Sequence, residues 1–142
     1  MFVGCTSLTT APVLPATTLA SGCYYNMFGN CTSLTTAPEL PATTLANNCY
    51  NAMFLDCASL TTAPVLPATT LASGCYRNMF NGCTSLSSIT CLATDKSASM
   101  CTSSWVFSVA ASGTFTKAAS MTNWTTGNSG IPRGWTVVDY TG

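Results

Sequence analysis

The chain contains no histidine, and its four basic and four acidic residues cancel within 142 residues. Without an imidazole, Ser/His and Cys/His dyads are excluded. The acids Glu39, Asp56, Asp95 and Asp139 stand singly, so the sequence builds no carboxylate pair for glycoside hydrolysis. It has no glycine-rich phosphate loop. The few lysines and arginines exclude nucleic-acid binding, which needs them clustered, and electrostatic docking on anionic membranes. No apolar run reaches the roughly 18 residues of a membrane span. No basic segment precedes an apolar stretch as in a signal peptide. The expectation is a non-enzyme with no catalytic residue, cofactor, metal, nucleic-acid partner or membrane insertion.

The composition is instead 47% hydrophobic and 6% charged. That is apolar enough for one domain's core, with threonine, serine and asparagine left to solvate the surface. Such a surface suits an extracellular or cell-surface location.

A repeat organises most of the chain. Residues 5–30, 31–56 and 57–82 are nearly the same 26-residue segment, and a degenerate fourth copy covers 83–108. A fixed period in this range marks stacked repeat units. Fixed between copies are Leu34, Ala37, Pro38, Leu40, Pro41, Leu45, Ala46, Cys49, Tyr50, Met53 and Phe54 with their counterparts, as a shared core demands. Positions such as Tyr25/Asn51/Arg77 vary and are expected to face water. Met1-Phe2 aligns with Met27-Phe28, so the chain begins inside a copy and is expected to be truncated at its N-terminus.

Within a copy, Leu34-Thr35-Thr36-Ala37 reads as a short strand arm. Pro38 and Pro41 make a corner, because proline cannot donate to a ladder. Ala42–Ala46 reads as a second extended arm, and Asn47-Asn48 as a turn. Apolar residues at 49, 50, 53 and 54 predict one or two helical turns. The fold expected is a repeat solenoid: right-handed, leucine-rich-repeat-like and β-rich, with short strands plus short helical turns.

Leu34-Thr35-Thr36-Ala37, Leu40-Pro41, Leu45 and Met53-Phe54-Leu55-Asp56-Cys57 recur in this order. The pattern resembles the BspA-type leucine-rich repeats of bacterial surface proteins over about residues 1–101. It departs from them in its longer repeat and in Ala-Pro where that family carries Ile or Leu. The resemblance implies an extracellular or cell-surface interaction protein and brings no catalytic residues.

Eight of the nine cysteines fall in two columns, 5/31/57/83 and 23/49/75/101, with Cys91 outside both. Copies about 4.8 Å apart would place column neighbours within disulfide reach. Ladders of reduced, buried thiols are the favoured alternative, and the spacings are not those of zinc sites.

The fourth copy has lost both prolines, so its strand can run longer. Thr102–Ser104 before Trp105–Val109 reads as a capped short helix. Strands are expected at 113–117 and 135–138. The expected division is a repeat region over 1–101 and a C-terminal cap over 102–142. Trp105, Trp124 and Trp135 seal the cap, and Ser120–Trp135 resembles the tail that closes such repeats in Bacteroidetes surface proteins.

The leading functional reading is a non-catalytic binding or adhesion module for a protein or glycan ligand. Its expected contacts are the threonine pairs Thr9-Thr10, Thr35-Thr36 and Thr61-Thr62. The alternative is a self-assembling component of a surface fibre or phage appendage. Ice binding ranks last, because adjacent threonines point to different sides. A weak homodimer is expected through residues 1–30, with the aromatic cap blocking association at the other end.

Overall fold

A computed structural model of the chain describes residues 2–142; Met1, which the repeat aligns with Met27, lies outside the described residues. In the segment where helical turns are predicted, Cys49, Asn51, Met53, Leu55 and Cys57 each donate an N–H to the carbonyl three residues back. The residues between them do something no helix does. Asn48, Tyr50, Ala52, Phe54 and Asp56 donate across to Ser73, Cys75, Arg77, Met79 and Asn81 of the next copy at 2.8–3.1 Å.

The cause is a positive φ at every fourth residue. Asn48, Ala52 and Asp56 have φ of 56°, 56° and 58°. A right-handed helix needs negative φ throughout, whereas a turn with positive φ at its third residue favours Gly or Asn there. Gly22, Asn26 and Asn30, then Gly74, Asn78 and Gly82, supply the same positions in neighbouring copies. The result is a ribbon of consecutive turns whose alternate N–H groups bond within the copy and to the next one. The apolar spacing that predicted a helix reports this four-residue step, which aims Cys49, Tyr50, Met53 and Phe54 inward.

The fold expectation is therefore corrected. The chain is not a leucine-rich-repeat-like solenoid of short strands plus short helical turns. It has no helix among the described residues, and its named strands are three. They are β1 (Ser88–Cys91), β2 (Thr114–Lys117) and β3 (Thr136–Asp139), all parallel in one open sheet ordered β1-β2-β3. The helix expected at 105–109 is also absent, since Ser104 and Ser108 take positive φ and continue the turn ribbon.

The expected strand arms of the first three copies reduce to isolated parallel bridges, Thr10↔Thr36, Thr18↔Thr44, Thr62↔Ser88, Leu66↔Cys91 and Thr70↔Asp95. Two prolines per copy remove the donors a longer ladder needs. The fourth copy lacks them and forms β1. Gly113 precedes β2 where any side chain would collide with the Ser87 carbonyl and the Trp135 ring.

Residues 26 apart lie against one another, and aromatic rings form the core. Phe2, Phe28, Phe54 and Phe80 stack at 5.4–5.8 Å between centroids. Tyr24, Tyr50 and Tyr76 stack beside them at 6.0–6.1 Å. Trp105 meets the ends of both columns, at 5.9 Å from Tyr76 and 6.2 Å from Phe80, and stacks on Trp124 at 5.6 Å. Its indole N–H donates to the Gly130 carbonyl at 2.8 Å, and that of Trp135 to Ala110 at 2.7 Å. Beyond these rings, β3 is left as an open edge with all four residues exposed. The C-terminal end is thus only partly covered. Asn51, expected to face water, is buried and donates to the Asn48 side chain.

Candidate ligand-binding face

Alternation along β1 fixes which way the arms face. Ser88 and Thr90 are partly exposed, while Ile89 and Cys91 are buried. The ladder pairs Ser88 with Thr114 and Thr114 with Thr136, and the bridges pair Ser88 with Thr62 and Thr36 with Thr10. One outward column therefore carries a hydroxyl at each of six levels: Thr10, Thr36, Thr62, Ser88, Thr114 and Thr136. The buried column beside it runs Ala63, Ile89 and Phe115. The threonine pairs account for the first three levels. Ser88, Thr114 and Thr136, which extend the column through β1, β2 and β3, were not anticipated. Ser88 and Thr114 keep the 26-residue step from Thr62, so the spacing could have found them; Thr136 follows 22 residues on, where that step is lost.

All six anticipated threonines are exposed. Thr9 and Thr10 are tied to the second copy: the Thr35 and Thr36 N–H groups both donate to the Thr9 carbonyl, at 2.9 and 3.2 Å, and Ala11 donates to Thr36. Thr35, Thr36, Thr61 and Thr62 are brought together around a hollow of about 320 Å³, with Ala37, Ala63 and Pro64.

That hollow marks a break in the stacking. Among the described residues, no backbone hydrogen bond joins the arms of the second copy to those of the third, although the turn ribbons of the same copies are fully bonded. The neighbouring junctions are bridged on both arms. Along the seam, a second hollow of about 270 Å³ is lined by Pro38, Glu39, Pro41, Pro64, Val65 and Pro67. A third, of about 340 Å³, lies between Thr43-Thr44 and Thr69-Thr70. These last threonine pairs and the prolines recur at the repeat period and could have been found in the sequence.

The thiols lie elsewhere and are unbonded to one another, seven of them buried. They serve as donors in a way the sequence did not reveal. Cys31, Cys57 and Cys83 donate to the carbonyls of Phe2, Phe28 and Phe54, each 29 residues back along the chain, at 2.9–3.1 Å. Burial pushes the Cys49 thiol up to about 11 and those of Cys57 and Cys91 up to about 12, which keeps them protonated and poor nucleophiles. Among the described residues, no group of three or more potential ligands could hold a metal ion. The face thus offers hydroxyls, proline rings and unpaired backbone groups, with Glu39 the lone charge around its hollows.

No family model, curated protein or solved structure matches this chain.

Proposed function

We propose that the chain is a non-catalytic binding or adhesion module that acts outside the cell and engages a protein or glycan ligand through its arm face. The observation that carries this reading is the gathering of Thr35, Thr36, Thr61 and Thr62 around one open hollow, in line with Thr9 and Thr10. Small exposed hydroxyls on a charge-poor surface favour contact by hydrogen bonding and shape. The surface rich in threonine and serine supports the location.

The test compares the wild-type chain with a Thr35/Thr36/Thr61/Thr62→Ala variant on arrays of glycans and extracellular-matrix proteins. Circular dichroism verifies that the variant is folded. Binding by the wild type and its loss in the variant are expected. Equal binding by both would remove the threonine face from the function.

One observation favours a second reading, self-assembly. β3 presents an unpaired strand edge with exposed Val137 and Val138, and such edges template pairing with another chain. Concentration-dependent light scattering that Val138→Lys abolishes would favour it; a monomer at all concentrations would dismiss it.

A further inference from the structure

We infer that the arm-side seam between the second and third copies is a binding site for an uncharged oligosaccharide. This rests on the reading of the chain as a binding module and names the ligand class and the place.

The first argument is an unmet demand for hydrogen bonds. At the junctions on either side, the N–H of Ala11 donates to Thr36 and that of Ala63 to Ser88. Their counterpart, the N–H of Ala37, has no protein partner among the described residues. Thr35 and Ser87 donate to Thr9 and Thr61, but the N–H of Thr61 at this seam has no protein acceptor among the described residues. Backbone donors and threonine hydroxyls therefore line both walls, ready for a ligand rich in hydroxyls.

The second argument is width. On the opposite side the same two copies are held by ribbon hydrogen bonds and by rings stacked at 5.8 Å (Phe54 on Phe80) and 6.1 Å (Tyr50 on Tyr76). A peptide strand inserted between the arms would need two ladder spacings of about 4.8 Å each. Single hydroxyl groups entering from outside need far less. The geometry thus selects a ligand that hydrogen-bonds through projecting hydroxyls over one that bonds through its backbone.

The third argument is Glu39. It stands where the other two near-identical copies carry Val13 and Val65, so the one acid in the arms of the first three copies falls at the one open seam. Pro38, Pro41, Pro64 and Pro67 line the same hollow, with Pro41 exposed and Pro67 half-buried. A carboxylate accepts two adjacent hydroxyls, and the apolar proline faces suit the C–H face of a sugar ring. An apolar wall with a few placed polar groups is the usual make-up of a small-molecule site. The lone negative charge disfavours anionic sugars.

The experiment follows the amide resonances of the ¹⁵N-labelled chain during titration with neutral hexasaccharides of glucose, mannose and galactose, with hexagalacturonate as the anionic comparison. A saturable shift centred on Ala37, Thr61 and Thr62 with at least one neutral sugar is expected. Glu39→Val, which restores the residue of the other copies, is expected to weaken it about tenfold, the value of a hydrogen bond to a charged group. Added salt should leave it nearly unchanged. Absence of shifts with every neutral sugar, shifts confined to the turn ribbon, or an unaltered affinity in Glu39→Val would each overturn the inference. In those cases, binding on the array that the threonine variant abolishes would still stand for the broader reading, which separates the two failures.

Discussion

The second and third copies meet twice, and the two meetings differ. On the ribbon side, five N–H···O=C bonds run from one copy to the next and two aromatic pairs stack behind them. On the arm side, among the described residues, no backbone hydrogen bond crosses and three hollows open. The same 26 residues produce both results. Positive φ at every fourth ribbon residue frees alternate N–H groups to reach the neighbour, whereas the arms, with two prolines per copy, hold only isolated bridges elsewhere and none at this junction. The bonds that hold these two copies together thus lie on one side of the repeat, and the arm side can vary its contacts without weakening them.

Core truncation sharpens this contrast most. Phe54 is fully buried and stacked on both neighbours, so Phe54→Ala should cost about 3–5 kcal/mol in urea unfolding. Thr44→Ala, on the open arm, should stay within about 0.5 kcal/mol. Similar losses at the two sites would mean that the arms carry as much of the stability as the ribbon.

Titration acts on the buried thiols and leaves the hydroxyl face alone. Burial raises Cys49 from 9.0 to about 11, and Cys57 and Cys91 to about 12. Below pH 9 both folded and unfolded thiols are protonated, so their contribution is fully present. Above it the unfolded chain loses protons first, and stability falls as pH rises through the folded values. The urea midpoint should therefore decline steadily between pH 9 and 11. A flat midpoint across that window would show the thiols to be more accessible than their burial implies.

Much of this was legible in the sequence and some was not, for physical reasons. The repeat period, the inward Leu34, Tyr50 and Phe54, and strands close to 113–117 and 135–138 could be read directly. The turn ribbon was misread because residues 49, 50, 53 and 54 fit a period of 3.6 as well as a period of four. The correcting signal was present: Gly or Asn stands at 22, 26, 30, 48, 74, 78 and 82, four apart within each copy. Of the hollow's lining, the threonine pairs at 35-36 and 61-62 stood out in the sequence, but the seam did not. Near-identical copies predict identical junctions, and only the structure reveals that one junction is unbridged on its arms.

The smallest effect tests the ribbon itself. Ala52 is the one residue at a left-handed position of the first three copies that is neither Gly, Asn nor Asp, with φ 56°. A side chain with a Cβ pays roughly 1–2 kcal/mol in that conformation. Replacing it with glycine removes this cost but adds roughly 0.5–1 kcal/mol of chain entropy on folding, and a buried methyl group is lost as well. The net change for Ala52→Gly should be near zero or a gain of about 0.5 kcal/mol. Gly74→Ala, one copy on from Asn48 at φ 62°, should go the other way. It takes on the left-handed cost, and its new methyl would crowd the Asn48 side chain, for a loss of about 1–2 kcal/mol. The two alanine–glycine exchanges thus differ in sign only if both residues are left-handed. A clear loss of more than about 1 kcal/mol in Ala52→Gly, comparable to glycine's penalty in a regular element, would put a negative φ at residue 52 and break the contrast between ribbon and arm.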